Sequence, residues 1–166
     1  VARDAHEWGE WFGRSTDIGG LERERNVLRY RPAPTQVRGC ADAKPVDVAR
    51  VIAVGLLAAG HEMSVSLDPS LDEGLGRALR SVGVAVTTAS DDDWYASLGA
   101  GRVRLVGGDP SRAADEADGD PDLAVWANEV TSAPQIELLP FLREQSVSVT
   151  AHRFGNPDTG ALSVKL

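Results

Sequence analysis

The stretch TQVRGCADAKPVDVARVIAVGLLAAGHEMSVSL, residues 35–67, decides the fold. It opens with a short β-rich run at Thr35–Arg38 and continues with apolar residues at helical spacing from Val46 to Ala59. Gly60 ends the helical pattern, and Met63–Leu67 returns to a β-rich run. A strand, a helix and a second strand in this order are typical of a parallel sheet wound with helices.

The same alternation continues toward the C-terminus. Three more β-rich runs predict strands at Val84–Thr88, Arg102–Val106 and Leu123–Trp126. The helical patterns between them carry Leu71, Leu75, Leu79 and Val82, then Asp91–Leu98, then Pro110–Ala117. The sequence therefore predicts an α/β fold: a Rossmann-like, open, mostly parallel sheet of about five strands with helices on both faces.

Both ends of the chain depart from this rhythm. Residues Val1–Gly13 predict a short helix with Ala5, Trp8, Trp11 and Phe12 on one stripe, and Glu22–Pro32 predicts a mixed-charge strand. A short helix cannot bury two indoles alone, so we expect them to cover the following domain or a partner.

At the C-terminal end, Ile136–Arg143 is compatible with a helix, and Ser146–Ala151 alternates as a strand. We interpret residues 1–34 as a helix and extended arm, 35–145 as the Rossmann-like domain, and 146–166 as a C-terminal strand and flap.

Composition narrows the function classes. The 166 residues include 17 basic and 25 acidic side chains, a net charge of −8, so nucleic acid and anionic membranes are unfavourable partners. Hydrophobic residues make up 42% and aromatic residues 5%, which favours a core of small aliphatic side chains. The longest nearly apolar run, Val51–Gly60, is too short to cross a bilayer, and the N-terminus lacks the layout of a secretory signal. Cytoplasm is the expected compartment.

Candidate chemistry is sparse. Gly107-Gly108-Asp109 follows a predicted strand and precedes a helix, but its carboxylate is unfavourable for phosphate, so we interpret Asp109 as a helix cap. One cysteine and three scattered histidines exclude an internal disulfide and give no zinc-type spacing. Cys40 has no neighbouring base in sequence and is expected to be inert, His61 to complement a helix end, and His152 to make interface contacts.

The only basic concentration lies near the start of the chain. It contains Arg23, Arg25, Arg29, Arg31 and Arg38. In a strand the odd-numbered members of this group share a face, which would be able to bind carboxylate or phosphate. Because Glu22 and Glu24 dilute this charge, we expect the arginines to form salt bridges.

Several segments resemble known proteins. Ala49–Ser70 resembles the helix, Ala-Ala-Gly-Asn turn, strand and Lys-Pro-Ser-Glu segment of the cofactor-binding half of the aldehyde dehydrogenase fold. Val103–Ala114 is similar to its Phe-Thr-Gly-Ser turn and helix. Glu24–Pro32 and Leu138–Gly155 resemble the C-terminal region of long actinobacterial bifunctional proline utilization A proteins. The resemblance covers nearly all of the chain.

This resemblance implies a domain of a larger enzyme. In that family, an FAD-dependent proline dehydrogenase and an NAD-dependent glutamate semialdehyde dehydrogenase act in turn, and an extra C-terminal domain without catalytic duty covers the channel between them. It implies that this chain packs on the dehydrogenase module, with a homo-oligomer as a further possibility. The implied interface residues are Trp8, Trp11, Phe12, Arg29, Tyr30, His152, Arg153 and Phe154.

The chain departs from a working dehydrogenase at the cofactor site. Asp68 replaces the family lysine that binds the adenosine ribose, and Gly108-Asp109 replaces Gly-Ser in the turn after Gly107. No segment resembles the catalytic cysteine loop. We therefore expect no catalytic, cofactor or metal residue in this chain, with FAD and NAD bound elsewhere in the parent. Two alternatives stay open: a nucleotide-binding module, and a small hydrolase that uses Cys40 or His152.

Overall fold

The computed structural model of the chain describes residues 2–153, 156–157 and 159–165. Strands in this part are β1 (Thr16–Asp17), β2 (Glu24–Pro32), β3 (Thr35–Gly39), β4 (Met63–Leu67), β5 (Val86–Thr88), β6 (Gly101–Val106), β7 (Leu123–Trp126), β8 (Leu142–Thr150), β9 (His152–Arg153) and β10 (Asn156–Pro157). Helices are α1 (Ala2–Glu7), α2 (Pro45–Ala58), α3 (Pro69–Leu71), α4 (Arg77–Ser81), α5 (Asp91–Ala96), α6 (Pro110–Ala117) and α7 (Pro134–Glu137).

The central sheet has five parallel strands in the order β5-β4-β3-β6-β7. Helices cover the sheet, and the predicted Rossmann-like fold is confirmed. Because β3 pairs with β4 on one side and with β6 on the other, the winding direction reverses between β3 and β6. In doubly wound folds this reversal opens a crevice at the carboxyl ends of the two strands.

Helix α2 supplies much of the core. Val48, Val51 and Ile52 are fully buried, as predicted, but Leu56 is 42% exposed, so its predicted place on the buried stripe is wrong. The buried stripe passes through Gly55 instead, where a Cβ atom would lie 2.7 Å from the Phe141 ring. That close approach of Phe141 leaves no room for a larger side chain at the centre of this helix face.

The helix before Gly83 is also shorter than its pattern predicts. Asp72–Gly76 forms a π-helical turn, and the final helix, α4, ends at Ser81. Leu79 is buried, as expected, but Val82 lies beyond the helix end and is 73% exposed.

The N-terminal segment is not one regular helix. After α1, residues Trp8–Phe12 form a π-helical turn, which adds a residue per turn and rotates the predicted apolar stripe. Phe12 is buried with its ring 4.9 Å from that of Tyr30, whereas Ala5 and Trp11 face solvent, so their predicted shared stripe is wrong. Two hydrogen bonds of 3.0 and 3.1 Å from Arg50 to the buried Asp4 hold α1 against α2.

A second, antiparallel sheet joins the two ends of the chain. Strand β2 pairs with β8 over nine residues, from Glu24↔Thr150 to Pro32↔Leu142, and β1 pairs with the other edge of β2. The predicted helix at Ile136–Arg143 is interrupted and ends early: α7 ends at Glu137, a 3₁₀ turn follows at Leu139–Phe141, and the extended strand begins at Leu142. Strand β8 runs across residues 145 and 146, where we predicted the boundary between the Rossmann-like domain and the C-terminal strand and flap. The division into domains stays a prediction.

A buried ion pair ties this second sheet to the first. Arg104 of β6 and Glu137 of α7 are both almost completely buried, with Nη2 and Oε1 2.9 Å apart. The other terminal nitrogen of Arg104 donates to the carbonyls of Trp126 and Asn128. One guanidinium therefore connects β6 with the end of β7, with the segment after β7, and with the turn that leads into β8. Within the described ranges, no helix is long and apolar enough to span a membrane.

Candidate functional site

A cleft of about 480 Å³ opens at the carboxyl ends of β3, β6 and β7. This is the place where a doubly wound sheet binds its ligands. Three carboxylates and one ammonium group line it, together with two glycines of the turn after β6: Asp42, Asp47, Glu129, Lys44, Gly107 and Gly108. The lining charge is therefore negative on balance, which opposes the binding of a pyrophosphate.

The glycine turn after β6 is closely packed. Gly107 and Gly108 both have φ of +72°, a conformation that favours glycine. A Cβ atom on Gly108 would lie 2.6 Å from Cys40 Sγ and 2.6 Å from Tyr95 Oη. The backbone N–H of Gly108 donates to Asp42 Oδ1 at 2.7 Å. A donor suited to an anion is thus already bonded to a carboxylate of the chain itself.

Asp109 also directs its carboxylate to the chain's own backbone. Its Oδ1 accepts a hydrogen bond of 2.8 Å from the N–H of Ser111 in the first turn of α6, so the predicted cap is confirmed. Tyr95 Oη accepts from the N–H of Asp109 at 2.8 Å and donates to its carbonyl at 3.1 Å. Tyr95 thus bonds both backbone groups of Asp109 and fixes the end of the glycine turn.

Asp68, just after β4, also uses its carboxylate to bond a nearby residue of the chain. Its Oδ1 accepts from the N–H of Ser70 at 2.9 Å and from the Ser70 hydroxyl at 2.7 Å. Burial alone would raise the pKa of Asp68, but these hydrogen bonds and the charge of Arg38 outweigh it and lower the pKa. The carboxylate is ionised and partnered, and it offers no donor to a ribose hydroxyl.

Another carboxylate, that of Asp91, binds the backbone and an arginine at the end of β3. Asp91, at the start of α5, pairs with the buried Arg38 at 2.5 Å and accepts from the N–H of Ala41 at 3.1 Å. Cys40 lies between them with no exposed surface. Burial, together with the Asp91 charge, raises the pKa of the Cys40 thiol to about 12 despite the opposing effect of Arg38. Cys40 therefore has the properties of an inert thiol rather than of a nucleophile.

The predicted interface residues lie apart from this cleft. Trp11, Phe12 and Tyr30 line an apolar groove of about 470 Å³ together with Ile18 and Leu28. Trp8 is half-buried against the main core, and Arg29 lies on β2. The side chains of His61, His152 and Arg153, and the whole of Phe154, fall outside the described residues.

Sequence reasoning missed several contributors to these sites. Asp42 lines the cleft and bonds to its glycine turn, Tyr95 holds that turn, and Asp91 binds the backbone after β3. Ile18, which is 68% exposed, extends the apolar groove. The position of Asp42 in the loop after the first strand of the parallel sheet was the available signal for its role. In the part of the chain that the structure describes, no group of three or more His, Cys, Asp or Glu side chains is placed to hold a metal ion.

Comparison with known proteins relates the chain to a solved structure. No family model and no curated protein matches the chain. Among solved structures, Proline Utilization A (PutA) from Corynebacterium freiburgense is 27% identical, with a TM-score of 0.56. The match covers 92% of this chain but 13% of that protein. The chain is thus related to one domain of a PutA protein.

Proposed function

We propose that the chain is the C-terminal, aldehyde dehydrogenase-like domain of a bifunctional proline-catabolic enzyme. In such an enzyme, an FAD-dependent module oxidises proline, and an NAD-dependent module oxidises the resulting glutamate semialdehyde to glutamate. The role proposed for this chain is non-catalytic: it packs on the dehydrogenase module and helps to shield the channel between the two active sites. The relationship to PutA supports the parent enzyme.

The observation that carries the non-catalytic role is that the chain's own carboxylates occupy backbone N–H donors at the strand ends. Asp42 takes the N–H of Gly108, Asp109 takes that of Ser111, and Asp91 takes that of Ala41. A dinucleotide needs free N–H donors for its pyrophosphate, and it is repelled by fixed negative charge. The chain thus keeps the fold of a cofactor domain without an open phosphate site, which suits a domain retained for packing.

The groove between the N-terminal segment and β2 supports the packing role. Trp11 and Ile18 are each 68% exposed, and both border the same apolar groove. Contiguous exposed apolar surface of this kind marks a contact with another protein surface. A domain docked through it would act by excluding water and retaining the intermediate near its next site.

The test is the lag in NADH production when the full-length parent enzyme is supplied with proline. We expect Trp11→Glu combined with Ile18→Glu to lengthen the lag and to leave the rate with added glutamate semialdehyde unchanged. Val82→Glu is the matched control, because Val82 is 73% exposed and does not line the groove. An unchanged lag in the groove variant, with the protein folded, contradicts the shielding role.

A second candidate function is nucleotide binding, favoured by the position of the cleft where the winding of the sheet reverses. Calorimetric titration of the chain with ATP separates the two candidates. Saturable binding that weakens in Asn128→Trp, a change in the cleft wall, would establish this function in place of the first.

A further inference from the structure

The strand β2 carries a row of arginines on one face. Arg25, Arg29 and Arg31 alternate along the strand, and the continuous register with β8 places Arg143 directly opposite Arg31. Residues of the same parity lie on the same side of a regular strand, and directly paired residues share a face. Four guanidinium groups therefore project from one face of the β2–β8 ribbon.

A carboxylate lies near one end of this face: Asp17 pairs with Val27, so it shares the face, and the charge of Arg25 helps to lower the pKa of Asp17. Within the described residues, the other end, at Arg29, Arg31 and Arg143, has no ion-paired carboxylate. Arg25 donates to the carbonyls of Leu162 and Val164, and Arg29 donates to the side-chain amide of Gln145. The predicted salt bridges of the arginine-rich segment are wrong for these residues, because in the described ranges no carboxylate lies within ion-pair distance of them. Of the arginines in that group, Arg38 does form an ion pair, but it lies in the other sheet.

The opposed pair Arg31 and Arg143 is the least compensated part of the row. Both side chains are exposed, and neither forms a hydrogen bond or ion pair with any residue in the described part of the chain. Like charges directly opposite each other on a ribbon are destabilising. Arg102 adds a third charge nearby, since it donates to the carbonyl of Leu142 at 2.8 Å. Burial lowers the pKa of Arg102, and the charge of Arg143 lowers it further.

We propose that the Arg29–Arg31–Arg143 patch is a docking surface for an acidic segment of another protein surface. The charge of the patch is opposite to the net charge of −8 of the whole chain, so it is a local exception rather than part of a basic surface. Guanidinium groups fit carboxylates in a planar, two-point geometry. This inference does not depend on the proposed role in proline catabolism.

Geometry and net charge select an acidic protein segment over other anions. Two residues on one strand face lie about 6.6 Å apart, close to the spacing of carboxylates three or four residues apart on a helix. A single small carboxylate bound to exposed side chains of the ribbon would stay in water and gain little. A nucleic acid would place many phosphates against the remaining surface, which is more acidic than the chain as a whole.

The test is binding of a fluorescently labelled poly-glutamate peptide, followed by anisotropy at an ionic strength of about 0.15 M. At that ionic strength, charges farther than about 8 Å are largely screened, so the acidic remainder of the chain contributes little. We expect saturable binding that weakens by about tenfold or more in Arg31→Glu and in Arg143→Glu, with partial retention in Arg31→Lys. The control is Arg77→Glu, on the exposed surface of α4, which should leave the affinity within about twofold.

Two further measurements keep the result interpretable. Arg143→Gln removes the like-charge repulsion and should raise the melting temperature or leave it unchanged while it weakens peptide binding. Free glutamate and a single-stranded oligonucleotide serve as competitors, and neither should displace the peptide at matched anion concentration. Equal loss of binding in Arg77→Glu, absence of peptide binding, or preference for the oligonucleotide or for free glutamate would overturn the proposal.

Discussion

The ion pair between Arg104 and Glu137 allows a quantitative prediction about how the antiparallel ribbon is held. In Glu137→Gln the shape of the side chain is retained and its charge is lost, so the guanidinium of Arg104 stays buried without its counter-ion. Removing one partner of a buried pair costs about 3–5 kcal/mol. Because Arg104 keeps its carbonyl acceptors at Trp126 and Asn128, we expect the lower end, about 3 kcal/mol.

The assay is equilibrium unfolding in urea combined with thermal melting. For a chain of this size, 1 kcal/mol shifts the melting temperature by about 2–4 °C, so Glu137→Gln should lower it by roughly 6–12 °C. A double-mutant cycle with Arg104→Met should return a coupling free energy of about 1–3 kcal/mol.

The exposed pair between Arg112 and Asp92 is the matched control. Its atoms are 2.7 Å apart, but the side chains are 38% and 85% exposed, so Asp92→Asn should leave the melting temperature almost unchanged. If Glu137→Gln and Asp92→Asn lower the melting temperature equally, burial does not determine the strength of these ion pairs. Our account of how the Arg104–Glu137 pair holds the β2–β8 ribbon would then be wrong.

Three further predictions concern the residues at the strand ends. Gly108→Ala should lower the free energy of unfolding by about 2–5 kcal/mol, because the new Cβ atom is strained at positive φ and contacts Cys40 and Tyr95. Gly119 also has positive φ but open space around it, so Gly119→Ala should cost only about 1–2 kcal/mol. Equal costs of the two variants in urea unfolding would contradict the packing argument. The Cys40 thiol should resist alkylation at mildly alkaline pH until guanidinium chloride unfolds the protein, and rapid labelling of the native chain would disprove its burial. Because the pKa of Asp68 is lowered in the folded state, its contribution to stability should be present above about pH 4 and decrease as the pH falls below that value; Asp68→Asn should reduce this decrease, and identical pH profiles of unfolding would refute it.

The parallel sheet was largely predictable from the sequence because its strands are buried and β-rich. Met63–Leu67 and Leu123–Trp126 have the predicted bounds, and β3 and β6 differ by one residue at one end. Strand β8 was harder to predict. Its residues 143–146 are all exposed, so the apolar alternation that marks a half-buried strand is absent there.

The candidate site was predictable only where its contacts are local. Asp109 caps the helix that directly follows it, and Asp68 bonds to a residue two positions away, so both roles can be derived from neighbouring sequence. Asp42 and Gly108 are 66 positions apart, and Ala41 and Asp91 are 50 apart. Such pairs form only when the sheet brings the strand ends together, and a pattern read along one chain does not contain that information.

The claim that the chain's own carboxylates occupy the backbone donors at the strand ends is tested most directly by calorimetric titration of the purified chain with NAD⁺. The account predicts no saturable heat of binding at millimolar concentrations of the dinucleotide, because Asp42, Asp91 and Asp109 already occupy backbone donors at the strand ends. A saturable isotherm with a submillimolar dissociation constant would contradict it.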